Sequence, residues 1–297
     1  MYKVEEVIEN TSSFLELKNN NNTANARISL NEGGRLQELK FKDVFLIKDQ
    51  PNFDYKVSYA SSILFPFASR IQEGKYVFEE KEYQFYLNET GKNALHGLVY
   101  NQKFELISKE ENTNFCAVTI AYKETKVIDG FPYTYEMYAT YTLFENDISL
   151  SIKIKNTDAK TFPFTLGWHP YFLSDDISKS SLSFKSDQKI EFDESLITKK
   201  VIDHKTEEEF KIEDKQLDDC FILNSDIVGF KTPSYQIEIT TDQIENYLQL
   251  YTPKGFSIIA IEPMTGVSNS FNNKIGLQVL NPNESYSVTW NVKFNNN

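Results

Sequence analysis

Apolar and polar residues alternate along much of this chain. In Ile148-Ser149-Leu150-Ser151-Ile152-Lys153-Ile154-Lys155, four apolar positions interleave with polar ones ahead of the turn formers Asn156, Thr157 and Asp158. That period of two predicts a strand with one wet face. The same alternation runs through Ala26–Leu30, Tyr235–Ile239 and Tyr286–Phe294. Phe104–Ile107 and Cys116–Tyr122, separated by the polar stretch Glu110–Asn114, predict a hairpin. Tyr135–Phe144, rich in Tyr and Thr, predicts a strand that ends at the turn Glu145-Asn146-Asp147. No window of similar length carries an apolar stripe at helical spacing. Helical pieces are therefore expected to be short, with Asp218–Leu223 and Thr241–Tyr247 too brief to assign.

Strand patterns recur from end to end. Apart from asparagine clusters at Asn19–Asn22 and Asn295–Asn297, there is no low-complexity tract, no Pro- or Ser-rich linker and no fixed repeat. Residues 1–297 are thus expected to form one domain. Many short antiparallel strands, each burying one face, predict an all-β fold built as a large antiparallel β-sandwich, with a barrel as second choice. Aromatics at 14 % of the chain supply strand formers and bulky core material.

Charge and composition narrow the function. There are 31 Lys and Arg against 43 Asp and Glu, a net charge of −12, so a polyanion would be repelled and no nucleic-acid partner is expected. No apolar run approaches the roughly 18 residues of a membrane span, and the acidic start MYKVEEVIEN lacks the basic, then apolar pattern of a secretion signal. A cytoplasmic protein without a membrane partner is expected. Cys116 and Cys220 are too few for a disulfide framework and lack zinc-site spacing.

Five segments carry groups suited to chemistry. Arg70 follows the apolar run Leu64–Ala68, and its planar guanidinium suits paired ligand oxygens, though single arginines are more often surface ion pairs. His96 lies in Asn93-Ala94-Leu95-His96-Gly97, and His169 in Gly167-Trp168-His169-Pro170-Tyr171-Phe172. Each can exchange a proton near neutral pH, against the plainer reading of a buried histidine bonded to backbone. An indole beside His169 offers a face for the apolar side of a sugar ring. The third histidine, His204, stands in a charged run and reads as solvated surface. Asp218 and Asp219 enter an apolar strand, and Glu262 ends the apolar run Ile258–Ile261 just before Pro263. A carboxylate at the rim of apolar surface is desolvated and becomes a better base, against the plainer reading of a strand-end Glu.

Taken in order, Phe-Ala-Ser-Arg70, His96-Gly97, His169-Pro-Tyr-Phe, Leu-Asp218-x-x-Phe and Glu262-Pro263 resemble the functional positions of the aldose 1-epimerase (galactose mutarotase) family, from about Gly33 to the C-terminus. The resemblance implies a supersandwich of the galactose mutarotase type and a cofactor-free isomerase acting on a small-molecule aldose. It implies Glu262 as general base, His169 as general acid, His96 and Arg70 as positioning groups, and Asp218 as an acceptor for sugar hydroxyls. Trp168 is expected as an apolar wall of the site and Asn93 as a further sugar-binding group. Two departures stand out. Glucose-6-phosphate epimerases resemble the His96 region but carry an arginine where this chain has Leu98-Val99-Tyr100, which favours an unphosphorylated sugar. Asp219 beside Asp218 leaves the hydroxyl-binding acid open between two positions, of which strand alternation sends only one into a cleft. The rivals are a hexose-6-phosphate 1-epimerase, a non-catalytic carbohydrate-binding protein on the same fold, and a glycosidase using two carboxylates. A monomer and a homodimer fit the sequence equally.

Overall fold

The alternating segments form antiparallel strands in a computed structural model that describes residues 1–296; Asn297, last of the terminal asparagines, lies outside the described residues. Strand Asp147–Asn156 buries Ile148, Leu150, Ile152 and Ile154, the four positions that alternation selects. Burying each such side chain contributes about 1.5–3 kcal/mol relative to leaving it in water. This strand sits inside a nine-stranded sheet, between Tyr135–Leu143 and Ser285–Asn296. The expected hairpin is present as Glu105–Glu111 and Cys116–Glu124 at one edge of the same sheet.

A second, eight-stranded sheet runs through Asp218–Ile222, Tyr247–Tyr251 and Ile258–Met264 to Gly167–Trp168 and Ile63–Leu64. The two sheets share one core: Leu150, Ile152 and Trp290 from the first belong to the same buried cluster as Phe221, Leu248, Leu250, Ile259 and Ile261 from the second. An N-terminal five-stranded meander over residues 3–48 adds Leu15, Leu17, Ile28 and Leu39 to that cluster. The fold is the all-β sandwich that the alternation predicts.

Alternation also decides what the other face of the eight-stranded sheet presents. Where Phe221, Leu248 and Ile261 turn into the core, their strand neighbours Asp218, Gln249 and Glu262 turn outward to a cleft. Among the described residues, helix is confined to Tyr55–Ser58, Ser270–Asn273 and a 3-10 turn at Ile177–Lys179. Of the two segments too brief to assign from sequence, Asp218–Ile222 is strand and 242–246 is an irregular connection. Among the described residues, no helix is long and apolar enough to cross a membrane.

Candidate functional site

Glu262 and His169 meet where the eight-stranded sheet is interrupted. Strand Ile258–Met264 pairs along one edge with Tyr247–Tyr251, but along the other it pairs with Tyr171–Leu173 and then, four residues on, only through Met264 with Gly167. Pro170 and Pro263 flank the gap and have no N–H for a continuous ladder. His169 occupies the gap, its backbone N–H donating to Ser62 O at 3.1 Å and its carbonyl accepting from Ser61 N at 2.8 Å. Its Nε2 stands 3.4 Å from Glu262 Oε1, and both side chains are almost fully buried.

His96 and Arg70 arrive on a short strand pair, Arg70–Gln72 against Asn93–Leu95, with Leu95 opposite Arg70. The His-Gly sequence has a steric reason. Gly97 has φ of +74°, and a Cβ there would lie 2.2 Å from the carbonyl oxygen of Phe65, so only glycine lets this turn pack so closely. His96, itself at φ 59°, is thereby set with its ring 5.1 Å from that of His169, edge to face. Tyr171 stacks on His169 at 4.9 Å, and Tyr59 packs on His96 at 4.8 Å.

These groups surround a cleft of about 540 Å³ lined by Arg70, Glu89, His96, His169, Asp218, Gln249 and Glu262, with Tyr59, Asn88 and Tyr251 among the remaining walls. The size lies in the range of small-ligand sites. Arg70 is ion-paired: Glu89 Oε1 accepts from its Nε at 2.8 Å and stands 2.7 Å from its Nη2. Asp218 Oδ1 accepts from Gln249 Nε2 at 2.7 Å, and Gln249 lies directly across the ladder from Glu262.

Burial governs the electrostatics. It pushes the Glu262 carboxyl well above the usual carboxylate range, with Asp218 adding to the rise and Arg70 opposing it. It pushes the His169 imidazole down to about 3, with Arg70 again disfavouring the cation. His96 is driven down by burial, by His169 and by Arg70, and Asp218 is raised chiefly by burial. The Glu262 and His169 shifts both place the proton of the pair on Glu262 and favour the neutral pair over the buried ion pair.

Five of the seven candidate residues thus share one cleft: Arg70, His96, His169, Asp218 and Glu262. Of the two adjacent acids, Asp218 lines the cleft, whereas Asp219 is ion-paired to Lys189 Nζ at 3.0 Å and is not among the cleft residues. Two expectations are corrected. Trp168 is 1 % exposed within the common core and does not line the cleft, because it precedes His169 and points the other way. Asn93 also lies off the cleft; its Nδ2 donates to Glu89 Oε2 at 3.0 Å, so it braces a wall residue. Tyr100 sits behind Tyr59, ring centroids 4.8 Å apart, on a neighbouring cavity rather than in the cleft. His204 is half-buried against Phe221 rather than fully solvated.

Sequence reasoning passed over Tyr59, Glu89, Tyr171 and Gln249. Gln249 had a signal: it is the one polar residue in Tyr247-Leu-Gln-Leu-Tyr251, on the face opposite the two leucines. Glu89 had none, since it comes from irregular chain between Lys81–Gln84 and Asn93–Leu95. Among the described residues, no three His, Cys, Asp or Glu side chains converge as a metal site requires.

The family model described as aldose 1-epimerase matches residues 14–293. Among curated proteins, the uncharacterized protein YihR of Escherichia coli K12 is 23 % identical over 275 residues, covering 88 % of this chain and 87 % of that one. A galactose mutarotase-like protein of Clostridium acetobutylicum superposes with a TM-score of 0.87 at 20 % identity, covering 100 % of this chain and 99 % of the other. Galactose 1-epimerase from Lactobacillus acidophilus superposes at 0.82 with 16 % identity, covering 100 % and 98 %. These likenesses establish the galactose mutarotase-like fold.

Proposed function

The chain belongs to the aldose 1-epimerase family, and from that premise we propose that it interconverts the α and β anomers of a free aldose by acid–base ring opening and reclosure. The observation that carries this reading is the buried His169–Glu262 pair, 3.4 Å apart at the cleft. A binding protein has no need of two mutually facing proton carriers.

In this mechanism Glu262 takes the proton of the anomeric hydroxyl as His169 gives one to the ring oxygen. The C1–O5 bond breaks, leaving an aldehyde at C1 and a hydroxyl at C5. Rotation about C1–C2 presents the other carbonyl face, and reclosure returns both protons. Opening converts a carboxylate and an imidazolium into a carboxylic acid and a neutral imidazole. Burial favours that neutral pair, so the ion-pair form from which opening starts is the minor form of the singly protonated pair, and once formed it transfers its protons downhill in the direction of ring opening. His96 and Arg70 orient the ring, while Asp218 and Gln249 present acceptor and donor to its hydroxyls.

The test is the anomer exchange rate of α-D-glucose and α-D-galactose, followed by polarimetry or NMR with and without the protein, beside glucose 6-phosphate. Acceleration of the free sugars supports the reading. Acceleration of the phosphosugar alone moves the function to a hexose-6-phosphate 1-epimerase, and no acceleration leaves a carbohydrate-binding role.

Two further outcomes are expected. The working pair holds one proton in total, so catalysis persists between the pH at which His169 gains a second proton, about 3, and that at which Glu262 loses the last, well above the usual carboxylate range. Background-corrected kcat/KM is therefore expected to stay flat through the ordinary histidine pKa of about 6.5 and to fall on the alkaline side. An inflection near that value would mean that an unperturbed histidine carries the proton. The pleat supplies the other outcome. Asp218→Asn is expected to raise KM by about 10–100-fold, the worth of one hydrogen bond to a charged group. Asp219→Asn, on the Lys189 side of the strand, is expected to leave steady-state kinetics near wild type.

A further inference from the structure

We propose that Glu89 is the residue that sets this cleft for uncharged sugars, by occupying the Arg70 guanidinium and so denying it to a phosphorylated substrate. The inference deepens the aldose reading and rests on it. One oxygen of Glu89, Oε1, accepts from Arg70 Nε at 2.8 Å and lies 2.7 Å from Nη2 of the same guanidinium. The other, Oε2, is held by Asn93 Nδ2 at 3.0 Å. The backbone locks the same loop: Glu89 N–H donates to Asn93 O at 3.2 Å, and Lys92 N–H donates to Glu89 O at 2.8 Å. Neither partner swings freely in solvent, since the Arg70 and Glu89 side chains are 17 % and 23 % exposed.

Arginine is the side chain best shaped to hold a phosphate, because its fork offers parallel donors to two oxygens. Here that edge of the fork is already filled by a carboxylate. Around it stand Asp218 and Glu262, against a single further cation, Lys56. Glu89 and Asp218 thus offset those two cations, while burial keeps the Glu262 carboxyl protonated and His96 and His169 neutral. A phosphate dianion entering this cleft would find no net positive charge, a carboxylate beside the only guanidinium that lines it, and that guanidinium already engaged. A sugar hydroxyl fares differently. It can accept from Arg70 Nη1, which has no protein acceptor among the described residues, and donate to Glu89 or Asp218. The ion pair is a donor and acceptor side by side, which suits a hydroxyl and repels a dianion. Tyr100 lies off the cleft, so the discrimination against phosphate falls to Glu89 rather than to that position.

The test compares wild type with two neutral replacements, Glu89→Gln and Glu89→Ala, and one that keeps the charge, Glu89→Asp. Two quantities are read: the ratio of kcat/KM for glucose 6-phosphate to that for glucose, and the Kd of glucose 6-phosphate by calorimetry. Both neutral variants are expected to raise the ratio by about 30-fold or more and to tighten Kd by about ten-fold or more, because a like charge is removed beside the phosphate. Glu89→Asp is expected to stay near wild type in both. An unchanged ratio and Kd in folded neutral variants would overturn the inference, as would a wild-type protein that already prefers glucose 6-phosphate. The two readings fail separately. A wild type inactive on every free aldose, with neutral variants that still gain phosphosugar binding, sinks the aldose reading and leaves the role of Glu89. A wild type active on free aldoses whose ratio does not move in the variants does the reverse.

Discussion

Glu262→Gln is expected to lower kcat for glucose anomer exchange by about 10²–10⁴-fold, the contribution of a positioned general base, while the folded protein becomes no less stable. The two readouts have one cause. Glu262 is buried beside His169 and shares the cleft with Asp218, so its carboxyl holds its proton well above the usual range. The unfolded chain gives up that proton near the ordinary carboxylate pKa of about 4.3. Between those two values the folded state binds more protons than the unfolded one, and stability falls as pH rises through the window. Glutamine has the same shape and no proton to lose, so the variant is expected to melt at the same or a higher temperature at neutral pH, with a flatter dependence on pH. Differential scanning calorimetry across pH, beside polarimetry, separates the loss of a base from the loss of a fold. Full activity in Glu262→Gln would move the base elsewhere, Asp218 being the next carboxyl in the cleft.

The strands were legible because their code is local. Ile148, Leu150, Ile152 and Ile154 alternate with polar residues and all four are buried. Which strand pairs with which was not legible. Asp147–Asn156 lies beside Ser285–Asn296 in the sheet, and nothing in either segment names a partner so far along the chain. The shortest strands were also invisible, since Ile63–Leu64, Gly167–Trp168 and Tyr171–Leu173 are below the length at which a period can be read. Those short pieces place His169 in the sheet gap. Its chemistry was therefore readable from the His-Pro-Tyr-Phe motif, while its 3.4 Å approach to Glu262 was not.

The site shows the same division. Single-residue alternation separates Asp218 from Asp219, and the same rule, applied to Trp168 and His169, sends the indole into the core while the imidazole faces the cleft. An aromatic beside a candidate acid in sequence is on a strand the residue least able to share its cavity. Glu89 marks the other limit. It sits on an irregular loop with no periodicity, and only the folded chain brings it to Arg70 across 19 positions.

His169→Gln is expected to cost a comparable 10²–10⁴-fold in kcat, and its combination with Glu262→Gln to cost little more than either change alone. An acid and a base that act on one sugar in one step form a unit: without the acid the ring oxygen leaves as an alkoxide, and without the base the anomeric hydroxyl keeps its proton. Removing the second partner then removes an interaction already idle. The imidazole depends on packing for its aim, since among the described residues its buried Nδ1 has no hydrogen-bond partner. The Tyr171 ring lies nearly parallel to it at 4.9 Å and the His96 ring meets it edge-on at 5.1 Å. Glutamine fits that slot and can hydrogen-bond, but it cannot carry a proton to the ring oxygen, so substrate affinity is expected to persist while turnover is lost. Single-turnover exchange followed by NMR, beside calorimetric Kd values for galactose, makes that separation. Two results would sink the assignment: a His169→Gln enzyme within ten-fold of wild type would pass the acid to His96, whose ring is the next imidazole in the cleft, and losses that multiply in the double variant would mean the two side chains serve different steps.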